Sequence, residues 1–325
     1  MTDIFTQEIK DLIKLATTDF DEFYKKTEQK SKSSGNYSKA ASSGYHSTAA
    51  SSGDYSTAAS SGYHSKAASS GNYSKAASSG DHSKAASSGN YSKAASSGYY
   101  SGAASSGYHS TAASSGDHSK AASSGDHSKA ASSGVNSACS ALGYLSCVKG
   151  DIGNLLMCSE FDNEGKPLGG KADIVDGEKI KQGTWYSVLN GKWIEVDLTD
   201  GLFNYVLSVK GNVKKLKKPN GGLLYLVCDV HGNSAHGKTI KQAREALLFK
   251  TMDRDVSAYK NMPLDTVKSP TEWAAVYSVI TGACQAGCQY FIEQKGKLKK
   301  SYTLEEILKE TEGAYGYARF KEVVS

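Results

Sequence analysis

Glycine recurs at positions 35, 44, 53, 62, 71, 80, 89, 98, 107, 116, 125, 134 and 143, a nine-residue spacing without a slip. From Ser31 to Gly134 the same stretch contains no Leu, Ile, Val, Met, Phe or Trp. No conventional core can be built from it, yet a flexible Gly/Ser linker has no reason to keep such register. A fixed short period is the mark of a solenoid, in which no unit buries a face alone and each stacks on its neighbours.

Written from its glycine, the phrase reads G-x-x-S-x-A-A-S-S. Its fourth place is Ser in all thirteen units from Ser38 to Ser146, and its sixth is Ala from Ala40 to Ala130. Strand side chains alternate faces, so Ser38, Ala40 and Ser42 point one way while Tyr37, Lys39 and Ala41 point the other. The small set belongs inside, where its hydroxyls must find backbone groups or one another. The glycine belongs at the corner, where a tight bend often needs a positive φ.

The third place runs Tyr37, His46, Tyr55, His64, Tyr73, His82, Tyr91. This alternation marks an 18-residue coil of two phrases on opposite walls, although duplication of an 18-residue segment would leave the same trace. With coils about 4.8 Å apart, tyrosines stack on tyrosines and histidines on histidines. Such columns would supply stabilisation that the meagre interior cannot.

The flanks have ordinary composition. Residues 4–26 place Phe5, Ile9, Leu12, Ile13, Ala16, Phe20 and Phe23 at helical spacing, which predicts an amphipathic helix that caps the first edge of the array or self-associates. Beyond Gly134, Val135, Leu142, Leu145 and Val148 bring in aliphatic side chains expected to widen the interior. Turn signals at Asn163-Glu164-Gly165, Asp176-Gly177 and Asn190-Gly191 predict hairpins, with Trp185, Tyr186 and Trp193 as core or cross-strand partners. Helices are expected over 239–252, over 269–294, and from a capping box at Thr303 and Glu306. The fold class is therefore mainly β with an α+β C-terminus. Residues 1–30 form the helix, 31–150 the β-solenoid, 151–221 a small antiparallel β domain, and 222–325 an α+β or helical domain.

The net charge is +5. Residues 31–150 carry nine Lys and four Asp, spread along the array rather than gathered on one face as a nucleic-acid domain would have them. The six cysteines fit no zinc-finger spacing and read as reduced cytosolic thiols. Acids near the N-terminus and the lack of a long apolar run argue against a secretory signal and a membrane span. The lysines of 212–222 read as a solvated loop.

The phrase "GYHSTA" resembles the G-x-x-S-x-A core of the β-roll repeats in heads of trimeric autotransporter adhesins, which space their units by about fourteen residues. That likeness implies a β-roll and a trimer. "DGEKIKQGTWY", "HGKTIKQA" and "ITGACQAG" resemble segments of phage and prophage proteins that carry Ser/Gly/Tyr repeats. That likeness implies a virion or host cytosol as the setting and no reaction.

Three constellations could carry chemistry. Cys284 and Cys288 with His231 and His236 could form a nucleophilic or zinc site, although "GACQAGC" reads more simply as close helix packing. Residues 232–239 match G-x-x-x-x-G-K-[ST], so Gly232, Gly237, Lys238 and Thr239 could cradle a phosphate if a loop there joins a strand to a helix. No catalytic residue, metal or cofactor is assigned. The leading expectation is a non-enzymatic interaction protein, a dimer or trimer, that docks a host or viral protein on Tyr37, Tyr55, Tyr73, Tyr91, His46, His64, His82, Lys39, Lys66 and Lys75. The alternatives are an anti-defence protein that stacks a nucleotide or nucleic acid on those rings or inhibits a host factor, and a weak nucleotide-binding enzyme using 232–239. Ice binding ranks below them, because Tyr, His and Lys interrupt any flat hydroxyl array.

Overall fold

A computed structural model of the protein describes residues 30–251, 255–283, 285–294 and 298–325. The helix expected over 4–26, and with it the expected cap, lies outside these residues. The chain divides into two compact units, the first ending at Val196 and the second running from Asp197 to Ser325.

From Lys30 to Gly150 each phrase contributes one strand of four or five residues. Successive strands alternate between two parallel sheets, so each pairs with the strand one coil on. Thr48–Ser52 pairs with Lys66–Ser70, and Lys39–Ser43 with Thr57–Ser61. The first wall runs from Lys30–Ser34 to Ala138–Ala141 and the second from Lys39–Ser43 to Cys147–Gly150, seven strands each. This is the β-solenoid of two phrases per coil.

The expected inward set is the buried one: Ala49, Ala58, Ala76 and Ala112 are fully enclosed, as are Ser47, Ser56, Ser60 and Ser78. Hydroxyls knit the walls together, with Ser47 bonded to Ser60 at 3.1 Å and Ser38 to Ser51 at 2.8 Å. The network thins in the middle of the array, where the buried hydroxyls of Ser83, Ser87, Ser92 and Ser105 find no partner among the described residues.

The corner glycines have a reason beyond their turn. A Cβ on Gly89 would sit 2.3 Å from the carbonyl oxygen of Gly71, one coil below, and φ at Gly89 is +114°. Backbone stacks on backbone here, and only hydrogen fits between. The third-place residues are less expected, since from Tyr37 to Leu145 every one is left-handed, with φ between 50° and 61°. A side chain there costs roughly 1–2 kcal/mol, which contacts made by the rings must offset.

The exit of the array differs from expectation. Val148 turns inward and is fully buried, whereas Val135 and Leu142 are exposed. The interior widens instead through Cys139, Leu156, Cys158, Val175 and Ile180. Strand Leu155–Phe161 adds in parallel to the first wall and turns back at Gly165 into Pro167–Ile174. The second wall continues antiparallel through Tyr186–Leu189, paired at Val148 with Tyr186. Asn190-Gly191, both with positive φ, then makes the expected hairpin into Lys192–Asp197. Residues 151–196 thus finish the solenoid, because their strands add directly to its walls.

The second unit has an antiparallel sheet of Asn204–Lys210, Val213–Lys217, Leu223–Cys228 and Ser234–Gly237 in chain order. Helix α1 (Ile240–Thr251) lays Ala243 and Leu247 against Val227 and Ala235. Helix α2 (Pro270–Thr281) starts at a Ser269 capping box and stops at Gly282 with φ +74°, which splits the helix expected over 269–294 and lets α3 (Gln285–Gln294) start afresh. Helix α4 (Leu304–Glu310) begins at the expected Thr303–Glu306 box. Helix α5 (Tyr317–Val324) adds Phe320 to a core with Trp273, Ile280 and Leu304.

Candidate functional site

The left-handed third place throws its rings out at two corners. One column stacks Tyr37 on Tyr55 at 5.0 Å between centroids, Tyr55 on Tyr73 at 4.9 Å, Tyr73 on Tyr91 at 5.0 Å and Tyr91 on His109 at 5.2 Å. The other stacks His46 on His64 at 5.1 Å, His64 on His82 at 4.9 Å, His82 on Tyr100 at 5.4 Å and Tyr100 on His118 at 5.1 Å. Second-place side chains hold the corners in step. The Asp54 carboxylate accepts from the N–H of Asn72 at 2.8 Å, and the Asn72 carbonyl from that of Asn90 at 3.1 Å, each one coil on.

These columns present edges, not faces. A base inserted between two rings needs about 6.8 Å, twice the base rise of ~3.4 Å, and the rings stand at most 5.4 Å apart. Face-on stacking of a nucleotide along the columns, the recognition mode expected of a sequestering protein, has no room.

Crowding shapes the titration of the rings. Burial lowers the imidazole of His64 below its ordinary value, with His82, His46 and Lys66 adding to the effect. Burial lowers His127 as well, against an opposing pull from Asp126. The Tyr91 phenol is raised by burial and by Tyr73 and Tyr108.

The ten residues expected to form one docking surface divide between two edges. Tyr37, Tyr55, Tyr73 and Tyr91 lead into the second wall with Lys39 and Lys75. His46, His64 and His82 lead into the first with Lys66. Unanticipated is the outer face of the first wall. Ala68, Ala86, Ala104 and Ala122 on the first wall are exposed, and an open trough of about 820 Å³ runs along them from Lys32 to Leu142. Lys66, Lys84 and Lys120, at the start of the same strands, are exposed, and Lys66 and Lys84 are direct neighbours in register. On the second wall the same column is buried at Ala59, Ala77, Ala95, Ala113 and Ala131. Identical phrases gave no signal of that difference.

The phosphate loop does not form as expected. Ser234–Gly237 is a strand paired with Leu223–Cys228, and a Cβ on Gly237 would meet the Ala243 backbone nitrogen at 2.3 Å. Gly237 therefore serves close packing against α1. Lys238 and Thr239 are exposed, and Gln242 accepts from the Lys238 N–H, occupying that donor.

The Cys/His set is also dispersed in role. Cys284 lies outside the described residues, Cys288 is half-buried against the helical core, and His231 is exposed in a turn. His236 is buried between Asp197 and Asp200. Among the described residues no group of three or more His, Cys, Asp or Glu is placed to hold a metal ion. The thiols at the solenoid's exit are raised mainly by burial, Cys139 and Cys147 to about 12 and Cys158 to about 11, so none is a nucleophile at neutral pH. No helix among the described residues is long and apolar enough to cross a membrane.

No family model, curated protein or solved structure matches this chain.

Proposed function

We propose that the protein is a non-enzymatic interaction protein, working in a phage or its bacterial host, whose solenoid is a rigid docking and spacer element. The observation that carries this reading is the outer face of the first wall, where exposed Lys66, Lys84 and Lys120 stand two residues before Ala68, Ala86 and Ala122, the alanines that line the trough. Two exposed lysines one coil apart repel each other, and an acidic partner laid along the trough would relieve that repulsion at every contact. Repetition makes the surface multivalent, so many weak contacts would sum along one axis. The partner class this fits is a protein with an extended acidic face.

The test is affinity capture from the producing cells, followed by titration of the purified partner. Charge reversal at Lys66→Glu with Lys84→Glu is expected to weaken binding at least tenfold, while Lys39→Glu with Lys75→Glu on the other edge leaves it within twofold. Equal effects from the two pairs, or no partner at all, would refute the assignment.

A further inference from the structure

His236 is buried in the sheet of the second unit, 3% exposed, and both of its ring nitrogens face carboxylates. Nε2 lies 3.7 Å from Asp197 Oδ2, and Nδ1 lies 3.4 Å from Asp200 Oδ2. Each carboxylate has a lysine on its far side: Lys214 Nζ is 3.1 Å from Asp197 Oδ1, and Lys250 Nζ is 3.4 Å from Asp200 Oδ1. Lys250 also donates to the Ser234 carbonyl at 2.9 Å and sits 4.1 Å above the Tyr315 ring. Charges therefore alternate through a row of five side chains. Cys228, on the strand paired with that of His236, is a further titratable neighbour; burial raises its thiol, while Lys214 and His236 oppose the rise.

A neutral imidazole has one N–H and one lone pair, so it would turn a lone pair toward one of the two carboxylates. The protonated ring presents a donor to each. Burial opposes the charged ring, but two facing carboxylates favour it. Burial likewise pushes Asp197 and Asp200 upward, yet His236 with Lys214, and His236 with Lys250, hold them below the ordinary carboxylate range.

We propose that His236 is a proton-operated latch of the second unit. In its charged form it ties Asp197, the turn at Asp200, strand Val213–Lys217 and helix α1 to strand Ser234–Gly237. Loss of the proton turns an imidazole lone pair toward one of the two carboxylates and loosens these elements together. A ring that holds its proton more tightly when folded stabilises the unit fully below its unfolded value, about 6.5. That stabilisation is lost as pH rises through the folded value. His64 and His127 of the array respond in the opposite sense.

Imidazole ¹⁵N spectra of the full chain, with His236 assigned by its absence from His236→Asn, test the proposal without requiring a variant to be stable. The His236 ring is expected to keep both N–H groups at pH 7.5, where His64 and His127, whose imidazoles are lowered, have lost one. Amide-exchange protection of 234–237 and of α1 should then fall more than tenfold as pH rises through the His236 transition. Asp200→Asn, which keeps the side-chain shape, should move that transition to lower pH. A neutral ring at pH 6, titration together with His64 and His127, or protection that ignores the transition would overturn the latch.

Discussion

Between Ala40 and Ala130 no side chain sealed inside the solenoid is larger than serine, whereas the second unit closes around Trp273, Phe320 and Leu226. The second unit follows the usual rule, in which apolar area removed from water carries the stability. The solenoid instead repeats one backbone geometry at a pitch that brings ring over ring and corner over corner. Its specificity comes from close approach, which makes it sensitive to additions. The second unit is sensitive to deletions.

The largest expected effect concerns a single methyl group. Gly89→Ala would press a Cβ to 2.3 Å from a backbone oxygen, and should destabilise the solenoid by at least about 3 kcal/mol. Gly201→Ala in the second unit, with φ +77° and nothing within 4 Å, should cost only about 1–2 kcal/mol. Urea unfolding followed by far-UV circular dichroism separates the two, and equal costs would break the contrast.

Next come substitutions in the two interiors. Leu226→Ala leaves a cavity worth about 2–5 kcal/mol, and Ala94→Leu overfills the tube by about 1–3 kcal/mol, as read by calorimetry of each variant. A tolerated Ala94→Leu would mean the walls can part. Smaller still is the ring column. Tyr73→Ala removes two stacking contacts, worth about 1–2 kcal/mol in all, and Tyr73→Gly should recover part of that by relieving the left-handed backbone.

The subtlest prediction is the pH response. His64 and His127 are held below the ordinary imidazole value of 6.5, so the unfolded chain binds protons first. Solenoid stability is therefore present above that pH and declines as pH falls through it. Thermal unfolding between pH 7.5 and 5 checks this, and a flat profile would show that the imidazoles do not crowd one another.

The coil itself was legible because every phrase repeats the same message. The alternation of Tyr and His marked the 18-residue period, and the two-residue alternation placed Ser38, Ala40 and Ser42 inside. What the phrase could not show was the left-handed backbone under Tyr37 or His46, since neither residue type signals it as glycine does. Nor could it distinguish two walls written in the same words. Beyond the array the local signals at Asn190-Gly191 and Thr303–Glu306 were sufficient. The phosphate-loop pattern failed because 234–237 pairs as a strand, a long-range choice. The cradle around His236 draws on Asp197 and Asp200, more than thirty residues upstream, and nothing local announces it.

The claim that most of this depends on is the two-phrase coil, and a pair of cysteines measures it directly. Ser52 and Ser70 are register partners on the outer face of the first wall, so Ser52→Cys with Ser70→Cys should form a disulfide readily under mild oxidation. Ser52→Cys with Ser61→Cys, which places the two thiols on opposite walls, should stay reduced. A bridge in the second pair and none in the first would contradict the coil.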